Sequence, residues 1–329
     1  MRRISTILSI ALAIILLPSC ANMYLSKGKE DFANLKYMNS IESLERSVEK
    51  KPNIEASTLL ALAYAETNQP VAAIYEFEKV KNDPAFDDNL KLAYASALLS
   101  AKKYDEAQVI ANGILSRDPG NQVAQSIKIS ANRVDKMKKD SSLYQLTPFH
   151  VTGVKTAMSV SKTSTGYLIS GEVDNAKVKD DYTGLSFLDV FEMDSLGKTR
   201  KLPFSDSKYH DAMAVFTKDG NTAYFTRSNQ TRTNRLEFDS KHTSNPQLYT
   251  STKSGTSWSK PEKLAFNNAN FIYAHPALTS DEKTLYFSSN KDGGSGGMDL
   301  YMTVLTNGVW GEPKNLGPTI NGPGDEAFP

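Results

Sequence analysis

Few residues in this 329-residue chain are of a type and spacing that could do chemistry. Its four histidines, His150, His210, His242 and His275, are scattered. There is no HExxH, no CxxC and no histidine pair spaced to set two ligands on one face, so the sequence carries no metal-site signature. No Gly-x-Ser-x-Gly elbow offers a serine nucleophile. The run Gly293-Gly294-Ser295-Gly296-Gly297 lacks the lysine and following helix with which a phosphate loop holds its ligand. Oxygen-bearing side chains alternate with glycine from Asn290 to Asp299, yet without the twelve-position acidic pattern of a calcium loop. His210 and His275 read as hydrogen-bonded turn residues, and Asp219 and Asp281 as turn formers. The expectation is a non-catalytic chain: no catalytic residue, no cofactor, no metal.

The exception is Cys20, the only cysteine, which leaves no intramolecular disulfide possible. Arg2 and Arg3 precede an eleven-residue, largely apolar run from Ile7 to Leu17. That run is too short to span a bilayer comfortably and has the size of a signal-peptide core. It ends in Leu17-Pro18-Ser19-Cys20, which resembles the lipobox of bacterial lipoproteins: apolar Leu17, small Ser19, and the cysteine whose thiol takes diacylglycerol. Pro18 is the one departure from the usual pattern. The resemblance implies a signal peptide over 1–19 and an acylated Cys20 as the mature N-terminus. No later apolar run reaches eighteen residues, so acyl chains alone would hold the mature chain to a membrane.

Lys and Arg number 38 against 37 Asp and Glu. No basic cluster interleaves with aromatics, so the electrostatic footprint of a nucleic-acid partner is missing. From Asp31 to Lys139 apolar residues recur at three and four, as in Leu59, Leu62, Ala63 and Tyr64, and predict amphipathic helices. Pro52, Pro84 and Pro119 punctuate them. A shift of 34 residues superposes Ala61 on Ala95, Ala73 on Ala107 and Val80 on Ile114. This is the tetratricopeptide period, and the region 20–140 resembles that family, with Ala61 facing Ala73 and Ala95 facing Ala107. The family's first tryptophan is absent. Residues 31–52 read as a degenerate first repeat and Asn121 to Lys139 as a closing helix. Tyr64, Tyr75, Phe77 and Tyr94 read as core.

After a linker at 141–148, composition shifts to Gly, Ser, Thr, Asn and aromatics, with short strands between turns. Two segments repeat. Lys218 to Thr226 matches Ser280 to Ser288 at an offset of 62, while Trp258, Pro261 and Leu264 match Trp310, Pro313 and Leu316 at 52. The difference locates a loop insertion in Gln230 to Asn245. Each unit holds a strand ending in Thr or Ser, a strand of Leu-Tyr type, a strand bearing Trp and a Lys-x-Leu run leading outward, and four short strands per unit describe a propeller blade. An earlier blade is traced by Tyr167 to Ser170, Asp189 to Phe191 and Lys201 to Pro203. Tyr and Trp residues are expected between blades. Ala327-Phe328-Pro329 stands 53 residues after Ala274-His275-Pro276, as if another blade were opening. The expected fold is therefore an α-solenoid followed by a β-propeller over 149–329 of about three blades, incomplete at the C-terminus.

Leu285 to Asn290, Gly293 to Gly297 and Asp299 to Tyr301 resemble the WD40-like propeller repeats of Bacteroidota envelope lipoproteins of the OmpA family. In those relatives a lipoprotein signal, tetratricopeptide repeats and blades follow in the order found here. The resemblance implies an outer-membrane, periplasm-facing scaffold that docks envelope partners, in type IX secretion, gliding or envelope anchoring. Ala21, Asn22 and Met23 lack the acidic cluster that marks surface export. Peptidoglycan binding belongs to C-terminal domains of the relatives that match no residue here. Two alternatives stay open: a Tol-Pal-like propeller partner, and the binding portion of a longer propeller-bearing peptidase or glycan hydrolase.

Overall fold

The computed structural model describes residues 20–329 apart from 140, 146, 164, 174–178, 232, 234, 241 and 242. Residues 1–19, which hold the expected signal segment with Leu17 and Ser19, and His242 lie outside the described residues. The chain divides into two compact units, one running to Pro148 and including Asp180–Gly184, the other formed by Phe149–Lys179 and Leu185–Pro329.

The first unit contains α1 (20–33), α2 (Tyr37–Lys50), α3 (Ile54–Glu66), α4 (Pro70–Val80), α5 (Asp88–Ser100), α6 (Tyr104–Leu115) and α7 (Gln122–Lys139). These are three helix–turn–helix repeats of tetratricopeptide type and a closing helix. The 34-residue period is set locally at the helix ends. Asn53, Asp87 and Asn121 each accept, through a side-chain oxygen, the N–H of the third residue on: Ala56 at 2.9 Å, Leu90 at 2.9 Å and Ala124 at 3.0 Å. Such caps satisfy amides that the first helical turn leaves free. The turns inside the repeats pass through left-handed Leu35, Asn68 and Lys102. There the amides of Lys36, Gln69 and Lys103 donate back to the carbonyls of Asp31, Tyr64 and Leu98 at 2.8–2.9 Å.

Ala61, Ala73, Ala95 and Ala107 are fully buried, as helices in close approach require. Ala107→Leu should overpack this contact and cost about 1–3 kcal/mol. Helical ellipticity followed on heating should show an earlier midpoint; an unchanged curve would mean that the register is wrong.

The first repeat starts earlier than the 31–52 expected, because α1 already runs from 20. Its small pair is Gly28 and Ser40 instead of two alanines. A Cβ on Gly28 would come within 2.6 Å of Leu44 Cγ, and the buried Ser40 Oγ donates to the Gly28 carbonyl at 2.8 Å. Phe77 and Tyr94 are core, and Tyr64 is half-buried with its hydroxyl donating to Glu45. Tyr75 is a correction: it is 65% exposed, on the side of α4 away from Ile74 and Phe77, with Lys79 Nζ 4.2 Å above its ring. Within this unit Tyr182 packs edge-on against Tyr37 and donates to Glu66 Oε2 at 3.1 Å.

The second unit is three antiparallel up-and-down sheets, the partial propeller expected. The first is β1 (Thr156–Lys162), β2 (Gly166–Glu172), β3 (Asp189–Asp194) and β4 (Thr199–Lys201) in order. The second is β5 (Asp211–Phe216), β6 (Thr222–Arg227) and β7 (Gln247–Ser254), with β8 (Ser257–Trp258) and β9 (Glu262–Lys263) both on β7. The third repeats this as β10 (Tyr273–Leu278), β11 (Thr284–Ser289), β12 (Asp299–Thr306), β13 (Val309–Trp310) and β14 (Lys314–Asn315). The outer strand of the last two blades is thus one strand broken at Pro261 or Pro313, which cannot donate to the ladder.

The Ser or Thr noted near the end of each second strand has a tertiary role. A register shift in β5 and in β10 places Met213 and His275 at positive φ. Their amides donate to hydroxyls of the preceding blade, Ser170 Oγ at 2.8 Å and Thr226 Oγ1 at 3.0 Å. Aromatics fill the spaces between blades: Tyr224 meets Trp310 edge-on at 5.6 Å, and Phe204 meets Trp258 at 5.1 Å. The glycine-rich loop is a turn. Asp299 accepts from the amides of Ser295 (2.6 Å) and Gly296 (3.2 Å) and from Asn315 Nδ2 (2.8 Å), so its oxygens already face N–H donors.

Candidate functional site

Each unit presents a recess. In the helical unit a groove of about 490 Å³ runs between α1, α3 and the α4–α5 turn, walled by Phe32, Ile54, Leu59, Phe86 and Leu90. Lys29 and Glu55 pair at its rim. Ile54 is 51% exposed although it is a large aliphatic residue at the start of α3. An apolar groove on stacked helix pairs can take an extended or helical segment of another protein.

In the strand unit a larger cleft of about 1480 Å³ lies against the second blade. Its walls are the β4–β5 connector from Pro203 to Lys208, Arg227 at the end of β6, the inserted loop at Gln230, Thr231 and Glu237, and the outer strand from Trp258 to Lys263. The cleft walls are highly charged, but many of the charges are matched in pairs. The buried Arg227 places Nε 2.5 Å from Asp211 Oδ1 and Nη2 2.6 Å from Oδ2, and Nη2 also donates to the Phe204 carbonyl at 2.6 Å. Burial pushes the Asp211 carboxyl up, opposed by Arg227 and by the Asp206 amide. Lys201 Nζ is 2.7 Å from Asp189 Oδ1, and Lys263 Nζ 2.6 Å from Glu237 Oε2. Ser205 Oγ links the two buried carboxylates, 2.9 Å from Asp189 Oδ1 and 3.0 Å from Asp211 Oδ2. Tyr249, its hydroxyl pushed up to about 12 by burial, accepts from the Gln230 amide at 3.1 Å.

The histidines and turn aspartates singled out in the sequence, His210, His275, Asp219 and Asp281, do not line this cleft, whereas Trp258, Pro261 and Leu264 of the repeated blade motif do. His210 Nδ1 accepts from the Leu188 amide at 3.3 Å, and His275 is half-buried, burial lowering its pKa, with its ring stacked on Phe328. Asp219 and Asp281 accept the amides of Asn221 and Lys283 in their turns. Among the described residues no group of three or more His, Cys, Asp and Glu is placed to hold a metal ion. No helix among them is long and apolar enough to cross a membrane. Cys20 stands at the beginning of the described α1, beside Ala21, which is buried and whose carbonyl accepts from Ser47 Oγ at 2.9 Å. The cleft residues Arg227, Gln230 and Asn267 were not singled out from the sequence. The only hint was that Gln230 opens the loop present in one blade and missing from the next.

No family model matches the chain, and no curated protein matches it. Among solved structures, the first tetratricopeptide (TPR) domain of the human RPAP3 protein is similar over 38% of this chain and 98% of its own, at 20% identity and a TM-score of 0.32. A puromycin-hydrolyzing peptidase of Mycobacterium tuberculosis is similar over 50% of this chain, at 12% identity and a TM-score of 0.23. The match covers 31% of that peptidase.

Proposed function

We propose that this chain is a non-catalytic docking scaffold of the bacterial outer membrane, anchored through acylated Cys20 and facing the periplasm. Its helical repeats gather protein partners of an envelope assembly, with type IX secretion or gliding machinery the leading candidate. The observation that carries the docking role is the apolar groove across α1, α3 and the α4–α5 turn, with Ile54 exposed at its mouth. Exposed aliphatic side chains gathered in one groove mark interaction surfaces more often than isolated ones do. The lipobox resemblance supports the anchor, and the order of signal, repeats and blades supports the assembly.

Crosslinked envelopes test the reading. Wild-type protein should co-purify with a defined set of envelope proteins, and Ile54→Asp should lose them while its melting free energy stays within about 0.5 kcal/mol, since the site is at the surface. Retention of the same partners by Ile54→Asp would assign docking to another face.

A further inference from the structure

The closing helix differs from the six before it in how its charges are met. In α1–α6 and the turns after them, lysines and arginines are mostly matched by carboxylates, as Lys27 is by Asp31, Arg46 by Glu42, Lys79 by Glu76 and Arg117 by Asp88. Residues 128–139 of α7 hold five cations, Lys128, Arg133, Lys136, Lys138 and Lys139, against the single acid Asp135. All five are exposed. Among the described residues Lys128, Arg133, Lys136 and Lys139 make no ion pair. In a chain with 38 basic and 37 acidic residues this is a local excess of positive charge.

Large apolar side chains stand among these charges. Ile129 is 49% exposed and Met137 74%, and in the turn that follows the helix Leu143 is 76% and Tyr144 73% exposed. The buried stripe of α7 runs through Ala124 and Ile127, and Ile129, Arg133 and Lys136, spaced by four and three, share the opposite side. Charge alone would suit any anion. The apolar residues interleaved with it select a surface that is acidic at its headgroups and hydrocarbon just beneath them, and Tyr144, an aromatic ring with a polar tip, suits the boundary between the two. We propose that the outer face of α7 and the turn after it bind the surface of a bilayer containing anionic lipid, with Arg133 and Lys136 on the headgroups and Ile129, Met137, Leu143 and Tyr144 entering the layer below. Such binding is reversible and weakened by salt, so it supplements an acyl anchor and does not replace one.

The test takes the chain from residue 20 on with Cys20→Ala, so that neither an acyl group nor the apolar run Ile7–Leu17 can insert. It is sedimented with vesicles of phosphatidylcholine alone, or of phosphatidylcholine and phosphatidylglycerol in equal parts. The mixed vesicles should pellet the protein at low salt, the neutral ones should not, and high salt should release it. Arg133→Gln with Lys136→Gln should weaken binding about 25-fold, about fivefold for each cation removed. Met137→Ser with Tyr144→Ser should weaken it about tenfold by removing apolar area from the layer. Both double variants change only exposed side chains, so their melting curves should match that of the parent chain. The proposal is overturned if neutral and mixed vesicles bind alike, if neither binds, or if either double variant binds like the parent. It is also overturned if a capped decaglutamate peptide binds as tightly as the mixed vesicles, which would make this face a site for an acidic protein.

Discussion

Arg227→Met should be the most damaging single substitution in the strand unit, costing about 3–5 kcal/mol. Breaking one partner of a buried ion pair leaves the other charge without compensation. Asp211 is fully buried and Arg227 nearly so, and the guanidinium meets both carboxylate oxygens while also bonding the Phe204 carbonyl. Its face lies 5.3 Å from the Phe225 ring centroid and 5.8 Å from that of Tyr249, so the same side chain ties the β4–β5 connector to the core of the blade. The loss should depend on pH with a definite sign. Burial already raises the Asp211 pKa, and removing Arg227 raises it further. A carboxyl whose folded-state pKa lies above its unfolded value destabilises the fold above that pKa, and the penalty is relieved as pH falls through it. The gap between wild type and Arg227→Met should therefore narrow on acidification. Adding Asp211→Asn should recover part of the loss at neutral pH, since the amide oxygen can still accept from the Asp206 amide, which lies 2.9 Å from Asp211 Oδ2 in the wild type. Urea titrations across pH measure this; a midpoint in Arg227→Met equal to that of wild type would show that the pair contributes nothing.

Cys20→Ala should move the protein from the membrane to the soluble fraction while leaving both units folded. The proposed anchor is chemical, a thioether to diacylglycerol, and alanine cannot form it. The fold should not register the change, because the helical unit holds its N-terminus from the next residue on. Ala21 is buried and its carbonyl is bonded by Ser47, and Leu25 and Phe32 of α1 pack against the cluster around Leu44. The same arrangement means that an acylated Cys20 would leave the helical unit without an intervening tether. Palmitate labelling and fractionation measure the first part, and a thermal melt the second. Equal label in wild type and variant would remove lipidation from the reading of this protein.

The helix breaks and the matched strands were legible in the sequence because each is a local matter. Pro52, Pro84 and Pro119 interrupt whatever helix precedes them, and the offsets of 62 and 52 between blades survive as equivalent strands of the two sheets, β6 with β11 and β7 with β12. Two features escaped for a physical reason. The first repeat keeps its close helix contact with Gly28 and Ser40, which look like nothing in particular until the Leu44 side chain is seen against Gly28. The cleft joins residues near 203–208, 227–237 and 258–267, and the condition that singles out Gln230 and Asn267, an amide atom with no partner, exists only once every neighbour has its place. Periodicity and proline breaks are properties of a segment, so the sequence by itself determined the repeats and the strand order. Whether a buried polar group is satisfied depends on all the segments around it, so only the tertiary structure decided which of them keep an atom without a partner.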